Sequence, residues 1–443
     1  MMRVLVLFIL LATLVAVAKS AYCSGSPDAG ERTNNFDIFD EDLVFVKEIQ
    51  NGKLYEAGPK GARFPVVHLW GSPYEKGFAQ GTLIKRQVRQ FVYSTWAYLS
   101  GALIWDGDKI PKAAKEILIL KGIDAALDWT SDVTAKFTSA DYTDEVKGLS
   151  DASGVSYDLL WRLQMFAELT KASCSFFGAW DTATTDGKTY QLRALDYDTD
   201  GPFKDYPQVT VYHPYNNDGY AYAQVGWPGS IGSLTGINEK KVSISEIGVG
   251  YPDDSFGQGT DNTPPEKVHG EPWMFVLRDT LQFASSLNEA KDRVTNSNRT
   301  CNLIIGLGDG DDAHVFGTEY SGYVANYYDD VNQLPVNETW HPKITDVVYN
   351  GMDWLCPTYT GVLGEQLGKY VGSIDEYTVV KNILPTVQTG NLHIALYDLT
   401  DMNMHVSFAR GASADSSEPF YAYERQFTRL HMNEIFQVSQ PDM

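Results

Sequence analysis

The stretch that decides the fold is ASCSFFGAWDTATTDGKTYQLRALD, residues 172–196. Before it, apolar residues recur with helical spacing, and after it short apolar runs alternate with tight turns. Within it, Asp186-Gly187 supplies the positive φ angles that a hairpin turn needs. The runs on either side are therefore predicted to be two antiparallel strands.

Cys174 begins the first of these strands, and Arg193 and Asp196 lie in the second. The turn is expected to bring Arg193 back beside residue 180, and curvature of the sheet would then bring Arg193 and Asp196 near Cys174. A nearby arginine favours a thiolate, and a carboxylate can hold an ammonium group. The alternative is a cysteine that only packs as a small apolar residue. Because Arg193 and Asp196 are predicted to lie near it, Cys174 is interpreted as a nucleophile.

Away from this hairpin, the chain divides into a helical part and a part rich in strands. Gly77 and Gly81 in the first helix indicate close helix packing, and three further hairpins are predicted within 208–328. Strands flanked by helices indicate an α+β layered fold in one large domain. The helices are predicted at 73–103, 112–129, 140–153, 157–169, 272–294, 374–384 and 419–436.

The N-terminus predicts entry into the secretory pathway. Arg3 precedes the apolar run Val4–Ala18, which is short for a membrane span and suits a signal peptide, assigned to residues 1–20. An uncleaved anchor is the alternative, and no later segment predicts a transmembrane anchor. The N-x-[ST] sequons at Asn298 and Asn337 predict glycosylation and agree with secretion.

Composition narrows the class of function. The chain has 57 acidic and 35 basic residues, a formal net charge of −22, and 43% hydrophobic residues. This composition is globular and excludes collagen, coiled coil and general disorder. Nucleic-acid binding is not expected, because phosphate contacts need Lys and Arg. The acidity suits a secreted or lysosomal protein.

No metal or cofactor is predicted. The Gly-rich segment GLGDGDDAH, residues 306–314, lacks both the P-loop Gly-Lys-[Ser/Thr] and the full calcium loop. The histidines show no zinc-ligand spacing, and Ser230 does not lie in a G-x-S-x-G elbow. Cys174 is therefore the strongest candidate for chemistry.

Cys174 with its Asp-Gly turn and R-x-x-D motif resembles the choloylglycine-hydrolase and acid-ceramidase group of N-terminal-nucleophile (Ntn) hydrolases. The resemblance is greatest to the branch with acyl-CoA:6-aminopenicillanate acyltransferase and the amoebal acid-ceramidase-like proteins. His68–Gly81 resembles that branch's G-[ST]-P-Y-E-x-G-x-A-x-G helix entry. Gly236–Lys240 resembles its G-[LIM]-N-E-K-G turn, and Val324–Tyr327 its strand end with asparagine. The motifs match in order, and the resemblance covers roughly residues 65–410.

The resemblance implies a four-layer αββα Ntn-hydrolase sandwich. A helical α chain, 21–173, would stay associated with a β chain, 174–443, that carries the core. Cys174 would cleave the bond after Ser173, and its freed α-amino group, with an ordinary pKa of about 7.7–8.0, would act as the base. Asp196 would orient that amino group, and Arg193 would support the thiolate or the substrate carbonyl. Asn326 would donate to the oxyanion.

The sequence departs from the family pattern at three positions. Lys241 replaces the last glycine of the N-E-K-G turn, and the second oxyanion-side residue of some members falls near Gly248, which has no side chain. No arginine lies between 326 and 400 to match a second arginine of several relatives.

The disulfide pairing stays open. If Cys174 is the nucleophile, the remaining cysteines allow a Cys301–Cys356 bond within the β chain or a Cys23–Cys356 bond between the chains.

The resemblance implies an amidase that cleaves an N-acyl bond of a small lipid-like substrate through a Cys174 thioester. Ceramides and N-acylethanolamines are the expected substrate types. An acyltransferase or a phospholipid deacylase could use the same thioester. A catalytically inactive secreted glycoprotein of this fold is the alternative from another class.

Overall fold

The computed structural model describes residues 25–102, 117, 121–170, 172–250, 252–257, 267–332, 341–352, 358–411 and 419–442. The predicted signal peptide, Cys23, Asn337 and Cys356 lie outside the described residues.

The strands in this part of the chain form two sheets. The large sheet has ten strands in the order β1-β2-β3-β6-β7-β8-β9-β10-β11-β12, and the small sheet has six in the order β13-β4-β5-β14-β15-β16. Neighbouring strands are antiparallel except β3 and β6, which are parallel. The strands are β1 Val44–Ile49, β2 Gly52–Ala57, β3 Phe64–Leu69, β4 Ser173–Asp181, β5 Gly187–Asp196, β6 Gln208–Tyr212, β7 Tyr222–Gly226, β8 Thr235–Asn238, β9 Val242–Gly248, β10 Asn302–Asp309, β11 His314–Ser321, β12 Ala325–Tyr328, β13 Val347–Asn350, β14 His393–Asp398, β15 Asn403–Phe408 and β16 Thr428–His431.

The α-helices are α1 Pro73–Leu83, α2 Lys85–Ala102, α3 Ile123–Thr134, α4 Ala140–Ser153, α5 Tyr157–Leu169, α6 Trp273–Phe283, α7 Leu287–Asn296, α8 Tyr359–Lys369, the mixed α- and π-helical stretch α9 at 376–387, and α10 Met432–Phe436. Helices α1–α5 lie between β3 and β4, α6–α9 connect later strands, and α10 follows the last strand. Of the helices described, none is long and apolar enough to cross a membrane.

The two sheets pack face to face, with helices on their outer sides. Glycines let the sheets approach closely: a Cβ on Gly178 of β4 would lie 2.3 Å from the Cβ of Val315 on β11. Helices α6 and α7 cover the large sheet, and α8 covers β13 of the small sheet. The predicted α+β fold with αββα layering is confirmed.

Local patterns predicted most of the core elements correctly. Three of the predicted hairpins are β4–β5, β6–β7 and β8–β9, and helices α4 and α5 have the predicted bounds. The fourth, predicted between 302–319 and 322–328, is instead the three consecutive strands β10, β11 and β12. The predicted helix over 73–103 is divided at Ile84 into α1 and α2, and the one over 272–294 is two helices, α6 and α7.

The region predicted as the helical α chain also contains strands, since β1–β3 precede the helices and join the large sheet. One expectation about the C-terminus was wrong. The predicted helix over 419–436 is instead the 3₁₀ turn Ala422–Glu424, the edge strand β16 and the short helix α10. Pairing of β16 with β15 satisfies its backbone groups and overrides helix propensity.

The predicted close packing of the first helix is confirmed at the crossing of α1 and α4. A Cβ on Gly77 would lie 1.8 Å from the carbonyl oxygen of Glu145, and one on Gly148 would lie 2.0 Å from that of Tyr74. Neither contact can relax by rotating a side chain, because the neighbours are backbone atoms. This crossing depends on glycine at both positions.

We predict that Gly77→Ala lowers the free energy of unfolding by about 2–3 kcal/mol, because overpacking forces the two helix backbones apart. Urea denaturation would measure the change. Gly226→Ala is the control, since nothing lies within 4 Å of its added Cβ. It should change stability by less than about 0.5 kcal/mol. Equal effects of the two substitutions would contradict the packing argument.

The parallel contact between β3 and β6 buries a histidine pair. His68 Nδ1 lies 3.1 Å from His213 Nε2, and Trp70 stacks on His213 with ring centroids 4.2 Å apart. Burial, with Lys76 nearby, lowers the pKa of His213 to about 3. Both histidine rings are therefore neutral in the folded protein at neutral and mildly acidic pH.

Because His213 is buried in its neutral form, the free energy of unfolding depends on pH. The pKa of His213 is lower in the folded chain than its ordinary value near 6.5, so its contribution to stability is full above pH 6.5 and is lost as pH falls. Relative to His213→Asn, the wild type should lose about 2 kcal/mol between pH 6.5 and 5. Denaturation at each pH tests this, with exposed His269→Asn as the control.

Candidate active site

Cys174 lies at the head of β4, fully buried at 0% exposure. In the β4–β5 register, Ser173 is opposite Asp196, Cys174 is opposite Leu195, and Phe176 is opposite Arg193. The hairpin therefore brings Arg193 and Asp196 to the start of β4 directly, without curvature of the sheet.

The expectation that Arg193 returns beside residue 180 was wrong. The strands close at Asp181 opposite Gly187, and Thr184 Oγ1 contacts the carbonyl oxygens of Asp181 and Lys188 at 3.1 and 2.8 Å. The turn is therefore centred on Thr184 rather than on Asp186-Gly187, which shifts the register toward Cys174.

Asp196 is held by the loop before β14. Its carboxylate accepts hydrogen bonds from the backbone N–H of Gly390 at 2.6 Å and of Asn391 at 2.9 Å, and Thr389 Oγ1 lies 2.8 Å away. Burial raises the pKa of Asp196 to about 7, against these hydrogen bonds and Arg193, which lower it. The side chain is thus fixed in position and titrates near neutral pH.

Arg193 is buried between the two sheets and pairs with Glu246 of β9. Arg193 Nη2 lies 3.0 Å from Glu246 Oε2, and the two side chains are 0% and 4% exposed. Within the part of the chain that the structure describes, Arg193 Nε and Nη1 have no hydrogen-bond partner. The guanidinium group therefore retains unused donors beside the cysteine.

The thiol itself is protonated in the intact chain. Burial raises the pKa of Cys174 to about 12, and the charge of Arg193 and a hydrogen bond from the backbone of Asp196 lower it only in part. A thiolate needs a base close to the sulfur or a change in its surroundings.

An apolar cavity of about 90 Å³ adjoins this cluster. Leu195, opposite Cys174, and Glu246, the partner of Arg193, both belong to its wall. Thr170 and Ala172, which immediately precede the cysteine strand, also line it. The rest of the wall is mainly aromatic and aliphatic: Phe91, Leu163, Phe166, Ala167, Tyr197, Phe203, Trp227, Ser230, Leu234, Trp273 and Met274.

The structure does not bring Asn326 to this cluster. Asn326 is exposed on the edge strand β12, and its Nδ2 donates to Glu319 Oε2 at 3.1 Å and to the carbonyl of Ser255 at 3.3 Å. In the sheet order, β10 and β11 lie between its strand and the strand of Glu246. Cys174, Arg193 and Asp196 are thus together, and Asn326 is apart from them.

Reasoning from sequence missed Glu246 and the loop residues that hold Asp196. The one available signal for Glu246 was an acidic residue inside the otherwise uncharged strand VSISEIG, because a charge buried in a strand needs a partner. Thr389-Gly390-Asn391 gave no signal, since its role depends on how the loop folds back.

Two other predicted modification positions can be located. Asn298 is exposed, as a glycosylated residue must be. Cys301 is buried, and its Sγ lies 3.2 Å from Glu168 Oε2. No group of three or more His, Cys, Asp and Glu residues among those described could hold a metal ion.

No family model matches the chain. Two curated proteins of Dictyostelium discoideum are similar to it. The protein dcd1A is 33% identical over 92% of this chain and 94% of its own length. The protein dcd1B is 32% identical over 92% of this chain and 81% of its own length. Among solved structures, an N-acylethanolamine-hydrolyzing acid amidase ortholog from Caenorhabditis elegans is 16% identical over 57% of this chain and 98% of that one, with a TM-score of 0.36. A variant of the conjugated bile acid hydrolase from Clostridium perfringens is 14% identical over 59% and 93%, also with a TM-score of 0.36.

Fold and site together define an αββα sandwich with a buried cysteine, arginine and aspartate at the head of a central hairpin. The sequence identity to dcd1A and dcd1B extends over most of each chain and shows the family. The chain belongs to the family of dcd1A and dcd1B.

We predict that Glu246→Leu lowers the free energy of unfolding by about 3–5 kcal/mol, because it leaves the buried Arg193 charge unpaired. The double variant Arg193→Met/Glu246→Leu should recover most of this loss, since it removes both charges. Thermal and urea denaturation would measure the cycle. Asp128→Asn, which breaks the more exposed Arg162–Asp128 pair, is the control and should cost at most about 1 kcal/mol. A double variant as unstable as Glu246→Leu would contradict the prediction.

Proposed function

We propose that this protein is a self-processing cysteine amidase that cleaves the N-acyl bond of a lipid-like amide. Cys174 is the nucleophile, Arg193 and Asp196 act beside it, and no metal or cofactor takes part. The observation that carries the proposal is the placement of a buried thiol near an arginine with unused donors, opposite Leu195, which lines an apolar cavity. The family resemblance of the motifs supports the same chemistry.

The first step would be cleavage of the chain before Cys174. The thiol sulfur attacks the carbonyl carbon of Ser173, the C–N bond to Cys174 breaks, and the proton of the thiol passes to the new amine. Water then hydrolyses the thioester, leaving a Ser173 carboxylate and a free thiol. Ser173 is 5% exposed and opposite Asp196, so the scissile bond lies against the group that titrates near pH 7.

Cleavage would change the chemistry of the thiol. The new α-amino group, with an ordinary pKa of about 7.7–8.0, lies on the same residue and can accept the thiol proton. The thiolate then attacks the substrate carbonyl, and the amine leaves with a proton from the α-ammonium group. Water releases the acyl group from sulfur. The unused Arg193 donors support the developing negative charge.

The apolar cavity suggests the acyl side of the substrate. Its wall has aromatic and aliphatic side chains with few polar groups, which favours a hydrocarbon chain over a peptide or sugar. Thr170 and Ala172 belong to that wall, so movement of the segment before Cys174 after cleavage would enlarge the cavity toward Cys174. Ceramide-like and N-acylethanolamine-like amides fit this description, and the predicted signal peptide favours a secreted or lysosomal setting.

A catalytically inactive protein of the same fold is the second candidate. The observation in its favour is the position of Asn326, which is held by Glu319 and is not available at Cys174 as an oxyanion donor. In an active enzyme, Arg193 or backbone N–H groups must therefore fill that role.

The first test is the intact mass of the reduced, deglycosylated protein. We expect two chains divided between Ser173 and Cys174 in the wild type and a single uncut chain in Cys174→Ala. Cys301→Ala, which removes the other buried thiol among the described residues, is the matched control and should be cut normally. An uncut wild type, at acidic as well as neutral pH, would sink the mechanism.

The second test measures release of the amine from N-acyl amides of varied chain length by the processed protein. Asp196→Asn should reduce kcat/KM by about 10²–10⁴-fold, the range expected for loss of a group that places the proton-transfer base. Cut protein with no turnover on any amide, and no labelling of Cys174 by an acyl probe, would favour the inactive alternative.

A further inference from the structure

A second cavity, of about 300 Å³, lies near the end of β15 and is lined by four cationic side chains. We call it the cationic cavity and define it by Arg63, Lys204, Arg410 and Arg425. We propose that the cationic cavity binds a tetrahedral oxyanion of the phosphate or sulfate class, either free or as the ester headgroup of a larger molecule. This inference is independent of the reaction at Cys174.

The charge of this cavity is opposite to that of the whole protein. The chain carries a formal net charge of −22, yet among the described lining residues Asp205 is the one carboxylate beside these cations. Lys204 lies 3.5 Å from Asp205, and Arg63 lies 3.6 Å from Glu56, which is not in the wall. A concentration of positive charge in so acidic a chain needs an explanation beyond solubility.

Arg410 and Arg425 form no ion pair with another described residue. Neither has a carboxylate within ion-pair distance in the ranges the structure describes. The Arg425 guanidinium is partly buried, and its Nη1 donates to the carbonyl oxygen of Phe408. Burial, with the like charge of Arg410, lowers the pKa of Arg425 to about 10. Buried charges are normally paired, and a bound anion would pair this one.

Hydrogen bonds hold the backbone of both arginines in place. Arg410 and Phe420 exchange two backbone hydrogen bonds of 2.9 and 3.0 Å. The backbone N–H of Arg425 donates to Ala422, and its carbonyl accepts from Asn34 Nδ2 at 2.8 Å. Guanidinium groups suit a phosphate or sulfate, because each can donate two parallel hydrogen bonds to its oxygens.

The volume indicates more than a bare ion. A cavity of about 300 Å³ has room for about ten water molecules at about 30 Å³ each, which exceeds one tetrahedral anion. Pro59, Phe64 and Phe408 add apolar surface to the same wall. An ester with a small organic group therefore fits the cavity better than inorganic phosphate alone.

The test is isothermal titration calorimetry of the full-length protein with inorganic phosphate and with glycerol 3-phosphate, and co-sedimentation with phosphatidic acid vesicles against phosphatidylcholine vesicles. We expect saturable phosphate binding that weakens at least tenfold in Arg410→Gln/Arg425→Gln. The control Arg86→Gln/Arg89→Gln removes the same charge from exposed positions of α2 and should leave affinity unchanged. Arg410→Gln alone, at an exposed side chain, keeps the test valid if the double variant does not fold.

The calorimetry and the vesicle experiment together also distinguish the two possible sources of the anion. Tighter binding of glycerol 3-phosphate than of vesicles indicates a soluble ester, and vesicle binding that is lost in the same variants indicates a lipid headgroup. Absence of binding to every probe would overturn the proposal. An equal loss in both double variants would overturn it as well, because it would reduce the effect to general charge.

Discussion

The buried ion pair between Arg193 and Glu246 is the constraint on which the site depends. Arg193 belongs to the small sheet and Glu246 to the large one, so the pair joins the two layers inside their buried interface. Removing two charges from water costs several kcal/mol for each ion, and only close pairing offsets that cost. Gln191 of β5 also hydrogen-bonds Ser243 and Ser245 of β9, and the ion pair acts with these bonds to place the guanidinium group near Cys174.

The sequence predicted those parts of the site whose residues lie close together in the chain. Cys174, Arg193 and Asp196 lie on one hairpin, and a hairpin can be read from an Asp-Gly turn between two apolar runs. The register could not be read in the same way, because it depends on where the Thr184 hydroxyl closes the loop. Glu246 and the loop around Thr389 come from distant parts of the chain, and only the packing of two sheets brings them to the hairpin.

The difference between local signals and contacts between distant residues also explains which elements were predicted wrongly. Helices α4 and α5 have strong caps, Ser139 and Ser156, and a clear apolar face, so local signals sufficed for their bounds. The strand β16 is four residues long and exists because β15 offers it an edge. The exposed strand β1 likewise depends on β2. Short edge strands carry too few residues for a period to show, so only the neighbouring strand determines them.

Burial gives the titratable groups of this protein opposite responses to acid. It raises the pKa of carboxyl groups such as Asp196, so their cost in the folded state falls as pH drops toward 4. It lowers the pKa of histidines such as His213, so the cost of folding rises over the same range. The two effects offset each other in stability, but they act at different places. At the hairpin, acid makes Asp196 neutral within the folded protein. At the contact between β3 and β6, His213 stays neutral down to about pH 3, so acid acts there by protonating the unfolded chain and lowering the free energy of unfolding. Acid therefore changes the charge of the candidate site before it changes the charge of the buried histidine pair.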